Sequence, residues 1–166
     1  DDPLDILYEQ GHGHGVSIGW KTLDEIFTIA PGQLSVVTGL PGGGKSEFID
    51  ALMINLAKNE GWTFAVASFE NQPHTHVAKL AEKITGKPFF SGGRERMSRE
   101  ELREAKKFIN DHFVFLEQRD GSPIRVDNLI ERCREAILRI GCKGVVIDPF
   151  NYIEMGKTDK EHQSIR

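Results

Sequence analysis

A parallel α/β sheet is the fold class this sequence predicts, on three observations. Short runs rich in β-branched residues alternate with amphipathic stretches of helical period, the order that strand–helix–strand crossovers require. Two of those runs, Leu34 to Thr38 and Val145 to Asp148, read as short buried parallel strands, the second apolar up to its terminal carboxylate. The 17 glycines of the 166-residue chain exceed the usual share of roughly 7%, and their densest group, Gly42 to Gly44, falls between a strand and a helix.

Each element has a local reason. Residues 1–15 are acidic and then run into Gly11-His-Gly-His-Gly15, which is too flexible for regular structure and reads as a linker; the domain proper spans 16–166. Thr22-Leu-Asp-Glu25 has capping-box spacing and predicts a short helix ended by Pro31-Gly32. The strand Leu34 to Thr38 follows and is stopped by Gly39. Phe48, Leu52, Met53 and Leu56 then recur at helical spacing until Gly61. Thr63 to Ser68 predicts the next strand. Pro73 opens a helix with Val77, Leu80, Ala81 and Ile84 on one face, and Gly86 to Gly93 form a loop. Ser98-Arg-Glu-Glu101 is a second capping box, starting a helix that carries Leu102, Ala105, Phe108 and Ile109. Phe113 to Leu116 is a strand. After the Asp120-Gly-Ser-Pro123 turn, Leu129, Ile130, Cys133, Ala136 and Ile137 mark a helix closed near Gly141, and Val145 to Asp148 completes the series.

Composition narrows the function. With 21 Lys and Arg against 25 Asp and Glu, the net charge of −4 excludes a globally basic nucleic-acid coat, so any such contact is local. No apolar run approaches the roughly 20 residues that cross a bilayer, and no signal segment opens the chain, which predicts a soluble protein without membrane partners. Cys133 and Cys142 lack metal-ligand companions and fit a reducing compartment. His12 with His14 and His74 with His76 have no carboxylate or cysteine support at metal spacing, so no metal site is assigned to them. Trp20 and Trp62 are read as packing residues. The charged stretch Arg94 to Lys107 is read as a solvated helix face laced with ion pairs.

The residues that carry chemistry cluster at strand ends. Gly39-Leu40-Pro41-Gly42-Gly43-Gly44-Lys45-Ser46 matches G-x-x-x-x-G-K-[ST], with a strand before it and a helix after it. Glycines let successive backbone N–H groups converge on phosphate oxygens, and the helix N-terminus, with Glu47 in its first turn, adds its positive dipole end. Lys45 then bridges the β- and γ-phosphates of ATP or another NTP, and the Ser46 hydroxyl ligates Mg²⁺. Asp148 ends its strand where a carboxylate orients that cation; the alternative is a turn Asp before Pro149. Glu70, just past the strand ending at Ser68, is placed to orient or deprotonate an attacking water; the alternative is a solvated loop glutamate.

Taken in order, Gly19-Trp20, Leu23-Asp24, Pro31-Gly32-Gln33-Leu34, the glycine loop, Ser68-Phe-Glu70 and Val-Val-Ile-Asp148 resemble the RecA-like motor core of the DnaB helicase family over about residues 16–155, most closely its Twinkle-type and phage primase-helicase branches. The resemblance implies a three-layer P-loop NTPase with a mostly parallel sheet, and it makes Glu70 the catalytic base. It implies ring hexamers that hydrolyse NTP at subunit interfaces and move on single-stranded DNA, with a primase domain or partner nearby. A bacterial or phage protein of the cytoplasm, or a mitochondrial-matrix protein, is the setting that goes with it. The family's next strand, its interfacial arginine and a later DNA-binding loop are expected beyond Arg166, so the core is expected to be incomplete at its C-terminal end and the native protein longer. Family members commonly carry an aromatic residue or Asn and then a Gln after the metal aspartate, whereas Pro149-Phe-Asn151 stands here. Lys157 and Lys160, in the loop from Gly156 to Ser164, fall where the resemblance places a channel-facing loop; a polar surface loop is the equal alternative. A RecA-fold switch that uses nucleotide to set assembly remains open beside the helicase reading, and a small-molecule kinase is a weaker third because Gly121 to Ile124 lacks an arginine-rich lid.

Overall fold

Phe64-Ala-Val-Ala-Ser68 (β1) is the middle strand of a three-stranded parallel sheet, and its first four residues are buried. The computed structural model describes residues 15–68, 73–116, 124–148 and 153–154, with Asp2, Leu4, Asp5 and Tyr8. These residues fall into two compact units, 1–62 and 63–166.

In the first unit, Lys21–Asp24 form one helical turn (α1) and Lys45–Glu60 a helix of 16 residues (α2). The expected capping box at Thr22 does not form. The turn begins two residues earlier, with Trp20 as its N-cap, no side chain caps it, and the Asp24 carboxylate accepts from Ser17 Oγ at 2.6 Å and from the Ile18 N–H at 2.8 Å. With the N-cap at Trp20, Thr22 is already the second helical residue and cannot cap. Asn55 of α2 donates to the Ile18 carbonyl at 2.9 Å, and Ile18 is fully buried. Val16 and Ile29 exchange both backbone hydrogen bonds as an isolated antiparallel bridge. Leu52, Met53 and Ile54 are consecutive and all buried, so α2 is covered over more than one stripe, and Gly61 closes it in the left-handed conformation.

Leu34 to Thr38, expected as a strand, forms none. A strand exists only through its ladder, and no described segment pairs with these residues; Leu34 and Val36 are exposed.

The second unit follows the expected alternation. Pro73–Thr85 (α3) and Arg99–His112 (α4) lie between β1 and Phe113–Phe115 (β2); Ile124–Arg125 (β3) and Val126–Glu135 (α5) follow. A π-helical turn at 136–140 continues α5 and stops at Gly141, and Gly144–Asp148 (β4) and Ile153–Glu154 (β5) complete the described elements. Parallel ladders set the order β2-β1-β4, with Phe64 beside Phe113 and Gly144, and Ser68 beside Asp148. A short parallel β3–β5 pair was not expected from the sequence. Ala65 packs with Ala136 and Cys142, and Ala67 with Leu129 and Cys133, which places α5 and its π-turn on one face of the sheet. The small alanines in β1 let that helical layer approach closely. The capping box at Ser98 forms as expected: Ser98 Oγ accepts from the Glu101 N–H at 3.1 Å, and Glu101 accepts from the Ser98 N–H at 2.7 Å. The turn expected at Asp120 to Pro123 and the segment at 156–164 lie outside the described residues.

Candidate nucleotide-binding site

The glycine loop takes its shape from its own residue order. Pro41 and Gly42 occupy the middle of a four-residue turn closed by the Gly43 N–H donating to the Leu40 carbonyl at 3.1 Å. Proline presets the first central φ, and Gly42, at φ +71°, supplies the positive φ that a type II turn needs in the second. Gly44 sits at φ +82° as the N-cap of α2, where a residue with a Cβ is strained, and no side chain caps the helix. The loop therefore delivers the chain into α2 with the helix's N-terminal amides facing no capping side chain of their own.

Lys45 is half-buried and folds back over this loop. Its Nζ donates to the Gly39 carbonyl at 3.0 Å and to the Leu40 carbonyl at 2.9 Å. An ammonium held on two neutral carbonyls, at a helix end favourable to negative charge, has the chemistry of a phosphate clamp. Ser46 is half-buried in the first turn and Glu47 is exposed beside it. Trp20 stacks on Phe48 with ring centroids 5.4 Å apart, so the segment before α1 is held against the first turns of α2. Trp62 is buried. Both tryptophans have the packing environments expected of them.

In the second unit, Asp148 is the half-buried last residue of β4, at the carboxyl edge of the parallel sheet where ligands of such folds gather. Its register partner is Ser68, whose Oγ is sealed from solvent and has no hydrogen-bond partner among the described residues. Glu70 lies outside the described residues, as do Asn151, Lys157 and Lys160. Sequence reasoning passed over Ser68, although the signal was present: like Asp148, it is a polar residue that ends an apolar strand.

These donors suit a magnesium nucleotide. Mg²⁺ takes hard oxygen ligands, commonly one or two from protein with the remainder from water and phosphate; Ser46 in the first unit carries a hydroxyl of that kind, and Asp148 in the second a carboxylate. No three His, Cys, Asp or Glu side chains gather as a metal cluster among the described residues, and a cation held partly by phosphate needs none. A Cβ placed on Gly42 or Gly44 would meet nothing within 4 Å, so the loop has open space beside it. Elsewhere, His76 is buried, with Phe115 edge-on to its ring at 5.7 Å, the setting of a packed core histidine.

Comparison with known proteins gives the family of the chain. The family model described as the DnaB-like helicase C-terminal domain matches residues 15–166. A protein of Arabidopsis thaliana named Twinkle homolog protein, chloroplastic/mitochondrial, is 44% identical over 169 aligned residues, covering 98% of this chain and 24% of that protein. The chain thus spans about a quarter of that relative's length. The α/β architecture with its parallel sheet is consistent with a RecA-like core.

Proposed function

Because the chain belongs to the DnaB-like helicase C-terminal domain family, we propose that it is the NTP-hydrolysing motor of a Twinkle-type replicative DNA helicase. In this reading the loop and helix start at residues 39–47, from Gly39 through Leu40, Pro41 and the three glycines to Glu47, bind the triphosphate, through the backbone N–H groups of the residues other than Pro41 and through the Lys45 ammonium. Ser46 and Asp148 hold Mg²⁺, which when bound neutralises charge on the β- and γ-phosphates. Glu70 orients the attacking water and accepts its proton. An arginine from a neighbouring subunit completes the charge neutralisation, an effect worth roughly 10³ to 10⁵ in rate where it is used. Hydrolysis at interfaces of a ring, which the family resemblance makes a hexamer, drives movement on single-stranded DNA. The organelle name of the Arabidopsis relative favours a mitochondrial or plastid setting over a phage one.

The observation that carries this reading is the Lys45 clamp, its ammonium folded onto the carbonyls of a loop that feeds an uncapped helix N-terminus. The test is Glu70→Gln in the full-length protein. Nucleotide binding should persist while turnover falls by at least about a hundredfold, in line with the usual contribution of a general base; normal turnover would remove Glu70 from its role. Strand displacement by the wild type separates the helicase from a RecA-fold assembly switch, which would bind nucleotide and assemble without unwinding.

A further inference from the structure

Ser68 is the one residue at the sheet's carboxyl edge, among those described, whose chemistry the proposed function leaves unused. Its hydroxyl is sealed from solvent with no hydrogen-bond partner among the described residues, an uncommon state for a buried polar atom. β1 and β4 are parallel and Ser68 pairs in register with Asp148, so both side chains leave the same face of the sheet on backbones about 4.8 Å apart. That face is opposite the one packed by α5, because the preceding residues of each strand, Ala67 and Ile147, lie against Leu129 and Cys133. A hydroxyl and a carboxylate on neighbouring strands at this spacing come within hydrogen-bond reach by side-chain rotation alone.

We propose that Ser68 is a positioning residue for the metal carboxylate: its hydroxyl donates a hydrogen bond to Asp148 in the nucleotide-loaded protein and holds that carboxylate toward the cation. This rests on the reading of Asp148 as the residue that orients Mg²⁺. Ser68 itself touches neither cation nor phosphate. Outer hydrogen bonds of this kind fix the rotamer of a metal-orienting group and commonly change metal affinity by about tenfold or more when removed.

The test uses the full-length protein, a fluorescent ATP analogue and a Mg²⁺ titration of its binding. Ser68→Thr keeps the hydroxyl, and Ser68→Val matches threonine in shape without it; both are residues that a strand accepts. Ser68→Val should raise the Mg²⁺ concentration for half-maximal binding about tenfold, with Ser68→Thr near wild type and Mg²⁺-free binding the same in all three. In an Asp148→Asn background, Ser68→Val should add nothing further, since its effect passes through the carboxylate. If Asp148→Asn raises the Mg²⁺ requirement and Ser68→Val does not, the Ser68 role is overturned alone. If Asp148→Asn leaves the requirement at the wild-type level, the reading of Asp148 falls and takes this proposal with it. A Ser68→Val protein that melts lower with an unchanged Mg²⁺ requirement assigns the hydroxyl to structure and overturns the role.

Discussion

Lys45 holds two charge-assisted hydrogen bonds, each worth roughly 1.5 to 3 kcal/mol when the partner is well placed. Transferred to phosphate oxygens, such bonds should make Lys45→Ala cost about a hundredfold or more in nucleotide affinity, read by equilibrium titration of the full-length protein. Gly144 presents a different constraint. A Cβ there would stand 2.4 Å from two ring carbons of Phe64, and that ring is itself stacked on Phe113 across the sheet. Gly144→Ala should therefore destabilise by about 1 to 3 kcal/mol, as overpacking of a full core does, measured by denaturant melts. These two residues differ in how far the sequence disclosed them. The role proposed for Lys45 could be read from the sequence because a phosphate-loop motif is built from consecutive residues. Gly144 and Ser68 were not, since what makes each special is a neighbour about eighty residues away, Phe64 for one and Asp148 for the other, brought close only by strand register.

At the scale of elements, one sequence pattern had two outcomes. Ser98 to Glu101 closes a reciprocal capping box, and Thr22 to Glu25 does not. The difference lies in where each helix starts: Trp20 is the N-cap of the first, which puts Thr22 inside the turn, whereas Ser98 is itself the N-cap of the second. Ser98→Ala should cost about 1 kcal/mol, visible as a lower melting temperature. Glu101 carries a second duty. The Lys87 ammonium at 2.9 Å, with the Ser98 N–H, lowers its carboxyl from the ordinary 4.5 to about 2, and Glu101 and Glu95 raise Lys87 in turn. A carboxyl depressed on folding contributes stability that is complete above about pH 4.5 and is lost as pH falls toward 2. Thermal melts between pH 7 and 3 should therefore fall less steeply for Glu101→Gln than for wild type. The strand at Leu34 to Thr38 shows the opposite limit of local reading. Its β-branched residues are suited to a ladder, but a ladder also needs a neighbour, and residue preference carries no information about whether one is there.

For the molecule as a whole, the alternation of strands and helices was enough to give a parallel sheet, because crossover handedness and burial leave few other arrangements for such a pattern. The sheet order β2-β1-β4 places the most buried run in the centre and leaves the polar ends of β1 and β4 side by side. Burial raises the thiols of both Cys133, under β1, and Cys142, beside the π-turn. Both should react with an alkylating reagent at pH 8 far more slowly in the native protein than after denaturation, counted by mass spectrometry. The proposed completion of the site across subunit interfaces adds an expectation of another kind: hydrolysis per mole of full-length protein should rise with protein concentration until assembly is complete. A rate per mole independent of concentration would place the whole reaction within single subunits or within rings that never dissociate, and dilution followed by light scattering tells these two apart.

The folded-back Lys45 bears on how such a site renews itself. Because its ammonium rests on the Gly39 and Leu40 carbonyls, the part proposed for it in capturing a triphosphate is an exchange of acceptors, with about as many lysine bonds formed as broken. For the lysine itself, the driving force of that exchange should come from meeting a more negative partner. The same exchange runs backward when the phosphate departs. Under the proposed function the lysine then has a place to return to, and each cycle would begin from the same starting shape.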